Sequence, residues 1–267
     1  MKSPRTSLKA SLLRDLLDLA NCAQVELQVH DQVGSTNDEA LLAQQSAPDT
    51  WILVVADQQT TGRGRLGRDW VSPWGAGIAM TIAIPQSDLT AGSASYSLVA
   101  GLAMTDALAS YGVGAGLKWP NDIVVINSDS GAMFKLGGIL SQMSSQGIVV
   151  GVGVNIDLRP EELPIAQATS TWILGHQISR EELIATFVKH VKKRLAQNSL
   201  EFMSEYRAAC VTIGLDVTVD LVNGTELSGN CCGVTDAGLL QVKFGDSVID
   251  VATGDVHHVR AAGSNLD

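Results

Sequence analysis

The sequence has few aromatic residues and few cysteines, and it lacks a long apolar run. Aromatic residues make up 4% of the 267 residues, and the four cysteines show neither C-x-x-C spacing nor paired histidines. These absences argue against a zinc site and a disulfide framework. No apolar run of about 18 residues is present for a membrane span, and the charged "LLRDLLDLA" segment does not fit a signal peptide. We therefore expect a reduced, soluble, cytoplasmic protein.

Positive charge is also scarce. The chain has 18 Lys and Arg against 28 Asp and Glu, which gives a formal net charge of −10. General nucleic-acid binding depends on neutralising phosphates, and adhesion to anionic membranes likewise needs basic residues, so both are disfavoured. The 45% hydrophobic content is ample for a core. The composition predicts one fair-sized domain, with or without a small appendage.

Apolar spacing predicts an α+β body. Leucines at helical spacing predict a short leading helix over residues 6–20, and "GSTNDEALLAQQ" predicts a second helix with Ser35, Thr36 or Asn37 as its N-cap. Strands are predicted at "IVVIN", "GGILSQM" and "GIVVGVGVNID", with loop 127–132 between the first two. The other predicted elements are strands 51–57 and 77–85, a helix over 95–112 and one long amphipathic helix over 181–206.

The pattern of apolar and polar residues changes beyond Gly214. Short alternating segments, "VTVDLV", "TELSGNCCGV", "LLQVKF" and "SVIDVA", are punctuated by "NG", "DAG" and "GD" turn signals. This pattern predicts a small β-barrel module, in which adjacent Cys231 and Cys232 point to opposite faces of one strand. The predicted domains are therefore residues 1–213 and 214–267.

The segment "TTGRGRLGRDW", residues 60–70, concentrates three arginines among three glycines. Glycine lets a backbone approach a ligand closely, and guanidinium forks match phosphate or carboxylate oxygens. The segment predicts an anion-binding loop, with an ordinary solvated basic turn as the alternative. It is neither a Walker A loop nor a dinucleotide fingerprint, because the required endings are absent. Three like charges on a glycine-rich backbone also predict a loop that is mobile until an anion binds.

Two lysines lie beside turn and glycine motifs. Lys118 precedes "WPND", which also fits a plain β-turn. Lys135 opens "KLGGIL", and a lone lysine is usually an exposed surface group. The paired glycines after Lys135 predict that a ligand or another backbone comes close, and "GVGVNID" repeats that pattern.

Five ordered motifs, "GSTND", "DQQTTGRGRLGRDW", "LKWPND", "KLGGIL" and "GVGVNID", closely resemble those of the biotin protein ligases. The resemblance covers approximately residues 30 to 157, and the β-rich tail fits the small SH3-like domain of that family. It implies an α+β catalytic domain, class II synthetase-like, with a central mixed β-sheet and helices, followed by an SH3-like barrel. A lipoate- or octanoate-attaching enzyme of the same fold is the alternative, although it is not expected to carry "GRGRLGR".

The resemblance implies a two-step reaction. The carboxylate of biotin attacks the α-phosphate of ATP, with Mg²⁺ present, and gives biotinyl-5′-AMP and pyrophosphate. A lysine of a biotin carboxyl carrier protein domain, part of an acetyl- or acyl-CoA carboxylase, then attacks the activated carbonyl. Cations between the carboxylate and the phosphates would reduce their repulsion.

The resemblance also implies which residues form the site. Lys135, Arg63 and Lys118 are the implied catalytic residues, with Lys135 bridging the biotin carboxyl and the α-phosphate. The implied biotin-binding residues are Ser35, Thr36, Asn37, Gln59, Arg63, Gly64, Arg65 and Lys135. The implied ATP-binding residues are Arg65, Arg68, Trp70, Lys118, Asn121, Asp122 and Asn155. Trp70 would stack on adenine, Asn155 would lie at its edge, and Asp122 is the implied magnesium ligand.

Some members of this family repress transcription through an N-terminal winged helix-turn-helix. The stretch before "GSTN" is too short for that domain, so a monofunctional ligase that does not bind DNA is expected. We further expect no membrane association and a monomer or weak homodimer.

Overall fold

The computed structural model describes residues 5–89, 96–221, 224–252 and 254–258. The helices are α1 (Ala10–Leu19), α2 (Thr36–Ser46), α3 (Tyr96–Ala109), α4 (Arg180–Leu195) and α5 (Ser199–Ala209). The strands are β1 (Glu26–Val33), β2 (Ile52–Gln59), β3 (Gly77–Pro85), β4 (Gly116–Lys118), β5 (Asp122–Ile126), β6 (Met133–Ser144), β7 (Gly147–Asn155), β8 (Asp216–Asp220), β9 (Glu226–Val234), β10 (Leu240–Phe244), β11 (Ser247–Val251) and β12 (Asp255–His258).

The predicted central mixed sheet is confirmed. Its strand order is β1-β2-β3-β7-β6-β5-β4; β1 and β2 are parallel, and every other neighbouring pair is antiparallel. Side chains of β2 alternate between two layers. Ile52 and Val54 pack with Ala40 of α2, whereas Leu53 joins the larger core that includes Met104 of α3. The sheet is therefore covered by helices on both faces.

The parallel pairing of β1 and β2 brings two of the sequence motifs together. Parallel strands end at the same edge of a sheet, so the loop before α2 and the loop after β2 run side by side. The amide of Thr61 donates to the carbonyl of Gly34 at 2.9 Å. The start of α2 and the arginine-rich loop therefore share one edge of the sheet.

The β-rich tail forms a five-stranded antiparallel sheet with the order β11-β10-β9-β8-β12. On β9, Cys231 is buried and Cys232 is exposed, so the prediction that the two side chains point to opposite faces of one strand is confirmed. The indole nitrogen of Trp119 donates to the Gly238 carbonyl at 3.0 Å, which joins the two sheets. The domain boundary at 213/214 falls in the turn before β8 and stays a prediction, and residues 259–267 of the second predicted domain lie outside the described residues.

Several predicted elements need correction. The prediction of a single helix over 181–206 is wrong, because α4 ends at Leu195 and α5 begins at Ser199. The second helix starts there because the Asn198 side chain caps it, accepting from the Leu200 amide at 2.9 Å. The leading helix begins at Ala10 rather than residue 6, since the Leu8 amide donates to the Asp57 carboxylate. Strands β1, β4 and β12 were not predicted. Residue 95, predicted to be helical, lies outside the described residues.

Within the described ranges, no helix combines the length and apolar content needed to cross a bilayer.

Candidate active site

The predicted site residues converge on one pocket of about 250 Å³ beside the edge where β2 ends. It is lined by residues of the α2 N-terminus, the loop after β2, the ends of β4 and β5, and strands β6, β7 and β12. Every predicted site residue is among them: Ser35, Thr36, Asn37, Gln59, Arg63, Gly64, Arg65, Arg68, Trp70, Lys118, Asn121, Asp122, Lys135 and Asn155. Their individual roles stay predictions, but the motifs that carry them occupy a single site.

One end of the pocket, formed by Ser35, Thr36, Asn37 and Gln59, is uncharged and polar; we call it the head-group end. Ser35 occupies the N-cap position of α2 but makes no side-chain cap hydrogen bond. The side-chain oxygen of Gln59 instead accepts from the Thr36 amide at 2.8 Å and from the Thr36 hydroxyl at 2.9 Å. Because Gln59 takes over part of the capping, the Ser35 hydroxyl is available to a ligand.

The arginine-rich loop is closed on itself. The Gly64 amide donates to the Arg68 carbonyl at 2.7 Å, and the Trp70 amide donates to the Gly62 carbonyl at 2.8 Å. At its tip Gly67 has φ 73°, a left-handed conformation that glycine adopts without steric cost. The backbone thus holds the three arginines on one wall of the pocket.

Each arginine of this loop has a partner on another element. Arg63 pairs with Asp38 of α2, and Arg68 pairs with Asp255 of β12. Arg65 donates from Nη1 to the Gly254 carbonyl at 3.3 Å, and burial lowers its pKa. The prediction of a mobile loop assumed three uncompensated like charges, and this premise is wrong, because acidic side chains compensate two of them.

Two lysines lie on the same wall of the pocket as Arg65 and Arg68. Lys135 Nζ lies 2.6 Å from Asp122 Oδ1 and 5.8 Å from the ring centroid of Trp70. Burial lowers the pKa of Lys118; Asp122 opposes that shift, and the like charges of Lys135 and Arg68 add to it. The wall formed by Arg65, Arg68, Lys118 and Lys135 therefore concentrates positive charge where a polyanion would be stabilised.

The glycines of the central strands make room for side chains as well as backbone. A Cβ on Gly137 would lie 2.6 Å from the Gly153 carbonyl oxygen, which is the predicted backbone approach. A Cβ on Gly153 would lie 2.5 Å from Trp70 Cε2, and a Cβ on Gly151 would overlap Asn37 Oδ1. The close neighbours of the "GVGVN" glycines are therefore two side chains of the pocket itself.

The two asparagines predicted to contact ATP also hold the walls of the pocket. Asn121 Nδ2 donates to the Ile139 carbonyl at 2.9 Å, and Asn155 Nδ2 donates to the Thr169 carbonyl at 2.9 Å. Each amide therefore has a structural task, whatever contact it makes with a ligand.

Sequence reasoning missed two parts of the lining. Asp255 and Val256 come from β12, and Pro164, Ile165 and Ala168 come from the segment that follows β7. In the sequence, "GDV" (254–256) has the composition of a turn, and residues 164–168 show no periodic apolar pattern. Contacts of Gly254 and Asp255 with the arginine-rich loop bring the first part to the pocket, and backbone hydrogen bonds of Lys135 with Gln167 and Thr169 bring the second.

The described residues contain no group of three or more His, Cys, Asp and Glu side chains that could hold a metal ion. Asp122, the predicted magnesium ligand, is paired with Lys135. Magnesium is commonly held by one or two carboxylates together with the phosphates of a substrate. The residues present therefore fit a magnesium ion that arrives with a nucleotide, rather than a resident metal.

Comparison with known proteins gives consistent matches. Residues 29–158 match the model of the biotin/lipoate A/B protein ligase family. A biotin--[acetyl-CoA-carboxylase] ligase of Mycobacterium tuberculosis is 33% identical over 96% of this chain and 97% of that protein. A protein with the same description from Paracoccus denitrificans is 35% identical over 78% of this chain and 90% of its own length.

The fold also matches solved structures. A biotin protein ligase from Aquifex aeolicus, solved in complex with biotin and ATP, superposes with a TM-score of 0.74. The match covers 88% of this chain and 99% of that one, at 24% sequence identity. At this identity the likeness supports the fold alone: an α+β body followed by an antiparallel sheet.

Proposed function

The chain belongs to the biotin/lipoate A/B protein ligase family, and we propose that it activates biotin with ATP and transfers it to a lysine of a biotin carboxyl carrier domain. One observation carries the proposal: a single pocket joins an uncharged polar end to a wall of four cations. The polar end suits the ureido ring of biotin, and the cationic wall suits a carboxylate that meets a triphosphate.

In the first step, a carboxylate oxygen of biotin bonds to the α-phosphorus of magnesium-bound ATP, and pyrophosphate leaves with the electrons of the broken P–O bond. Both reactants are anions, so their approach is costly in water. Lys135, Lys118 and Arg65 line the same pocket, and cations there offset the repulsion and stabilise the charge on the transferring phosphorus. Magnesium bound to the nucleotide would add a further positive charge, with Asp122 available as a ligand once Lys135 turns to the substrate.

In the second step, the acceptor lysine amine bonds to the activated carbonyl carbon, AMP leaves, and the amine nitrogen loses a proton. Trp70 is proposed to stack on the adenine, and its position across the glycines of β6 and β7 supports this role. Asn155 is proposed to lie at the adenine edge.

Lipoate and octanoate attachment is the alternative within this fold. Those acids carry an apolar end where biotin carries a ureido group. At the head-group end, Gln59 Nε2 donates to no group among the described residues, so an apolar ligand would leave this donor unpaired, which costs free energy. The pocket chemistry therefore favours biotin.

Mass spectrometry of a carrier domain tests the transfer. Incubation of the protein with biotin, MgATP and a purified biotin carboxyl carrier domain should add one biotinyl group to the domain. Replacement of the acceptor lysine of that domain by arginine should abolish the addition. Modification with lipoate but not with biotin would contradict the proposal.

We propose that the protein works in the cytoplasm as a monomer or weak homodimer and does not bind DNA. The net charge of −10 supports the last point, because DNA affinity depends on cationic contacts with phosphates. Nanomolar, sequence-specific DNA binding at moderate salt, with biotin and ATP present, would contradict it.

The Lys118→Arg variant should change the alkaline limb of the pH profile. Because burial lowers the pKa of Lys118, this side chain loses its charge at a lower pH than an ordinary lysine, and attraction for phosphate falls with it. Arginine keeps its charge, so kcat/KM for ATP should persist to higher pH in the variant. The measurement is kcat/KM against pH, which reports groups of the free enzyme. Identical alkaline limbs would show that Lys118 does not control it.

Limited trypsin digestion should detect ordering of the arginine-rich loop. The Arg63 and Arg68 side chains are half-exposed or more, so their ion pairs contribute little stability. Without ligand we expect cutting between residues 63 and 68, which gives fragments near one quarter and three quarters of the chain. Biotin with MgATP should slow these cuts markedly, and ATP alone should protect little. Cutting at the exposed Lys243 is the internal control, and equal loop cutting with and without ligands would show that the loop is preformed.

A further inference from the structure

Thr81 lies beneath the head-group end of the pocket. It is on β3, opposite Gly151 of β7, and it is fully buried. Its hydroxyl oxygen is 2.8 Å from the Thr36 hydroxyl and 2.7 Å from Asn37 Oδ1. A buried hydroxyl with two polar neighbours, both of which line the pocket, belongs to the site without touching the ligand.

We propose that Thr81 is a positioning residue for the head-group end: its buried hydroxyl holds the side chains of Asn37 and Thr36 in the positions from which they meet the ligand. The proposal rests on the proposed function, in which that ligand is biotin.

The orientation of the Asn37 amide follows from its partners. The Leu140 carbonyl, 3.2 Å away, can only accept a hydrogen bond, so the nitrogen Nδ2 must face it. The oxygen Oδ1 then faces Thr81, and the Thr81 hydroxyl must donate to it. With Gly151 packed against the same amide, the Asn37 side chain has one orientation.

The orientation of Gln59 follows in the same way. The Thr36 amide can only donate, so the oxygen of Gln59 must face it at 2.8 Å. Nε2 is then left over, and it donates to no group among the residues that the structure describes. The Thr36 hydroxyl can donate to Gln59 or to Thr81, because both acceptor oxygens are within 2.9 Å.

This arrangement has a consequence for specificity. A ligand with an acceptor oxygen at the head-group end can receive a hydrogen bond from Gln59 Nε2, whereas an apolar group there would leave that donor unpaired. Removal of the Thr81 hydroxyl would leave Asn37 Oδ1 without the donor that faces it and would remove one of the two acceptors near the Thr36 hydroxyl. Both side chains would then be held less firmly at the head-group end.

The test is the Thr81→Val variant, which keeps the shape and removes the hydroxyl. In biotin-dependent pyrophosphate exchange, KM for biotin should rise about tenfold or more, while KM for ATP stays within about threefold of the original value. Thr81→Ser restores the hydroxyl and should restore KM for biotin. Thr105→Val is the matched control, because Thr105 is also buried but bonds only the Leu102 carbonyl of its own helix at 2.9 Å.

The outcomes separate the possible failures. A merely structural role for Thr81 would lower the melting temperature, as Thr105→Val also would, without a selective rise in KM for biotin. An unchanged KM for biotin in a folded Thr81→Val variant would overturn the inference and leave the proposed function standing. Absence of biotin-dependent exchange in the unmodified protein would instead overturn the proposed function.

Discussion

Replacement of Lys135 by alanine is expected to reduce the rate of adenylate formation by about two orders of magnitude or more. This is the usual cost of losing one electrostatic donor at a reacting centre. Lys135 Nζ reaches Asp122 at 2.6 Å on the same cationic wall as Lys118 and Arg65, so it can move between that carboxylate and the reacting anions. The measurement is the single-turnover rate of biotinyl-5′-AMP formation. Biotin affinity, measured by calorimetry, should fall much less.

The control for this variant is Lys243→Ala, which removes an exposed lysine of β10 that lies outside the pocket lining. It should leave the rate of adenylate formation unchanged. A near-normal rate in Lys135→Ala would move the catalytic role to another cation, and Lys118 would then be the first candidate.

Two alanine substitutions on β7 should each weaken the binding of a different substrate. The methyl group of Gly151→Ala would overlap Asn37 Oδ1, and that of Gly153→Ala would lie 2.5 Å from Trp70 Cε2. Overpacking of this kind costs about 1–3 kcal/mol, enough for roughly a tenfold loss of affinity or more. We expect Gly151→Ala to raise KM for biotin and Gly153→Ala to raise KM for ATP.

The matched control is Gly114→Ala, because a Cβ on Gly114 would meet no atom within 4 Å. That variant should retain both KM values. If Gly151→Ala and Gly153→Ala raised the two KM values equally, Asn37 and Trp70 would not divide the pocket between biotin and ATP.

Local patterns predicted much of the fold, and the resemblance of five ordered motifs to those of the biotin protein ligases implied the candidate site residues. Continuous apolar runs in β2 and β3 and small residues in α3 are local properties, and they predicted a sheet with helices. The break between α4 and α5 was missed because the apolar spacing continues across it, and only the capping by Asn198 shows the interruption. Strand β1 was missed because most of its residues are polar and partly exposed at the sheet edge.

The contacts that could not be predicted are those between distant parts of the chain. Nothing near Arg68 indicates that its partner is Asp255, which lies on the last described strand. In the sequence, Thr81 is one polar residue in an apolar strand. Its contact with Asn37 depends on the pairing of β3 with β7 and on the packing of α2 against these strands. Such contacts arise from tertiary packing, and the local pattern around each residue carries no information about them.

Biotin-dependent exchange of labelled pyrophosphate into ATP tests the central claim most directly, because it reports the first chemical step without any acceptor protein. With biotin and MgATP the protein should incorporate label into ATP, and omission of biotin should stop the incorporation. Lipoate should not replace biotin. Exchange that proceeds with lipoate and not with biotin would contradict the account.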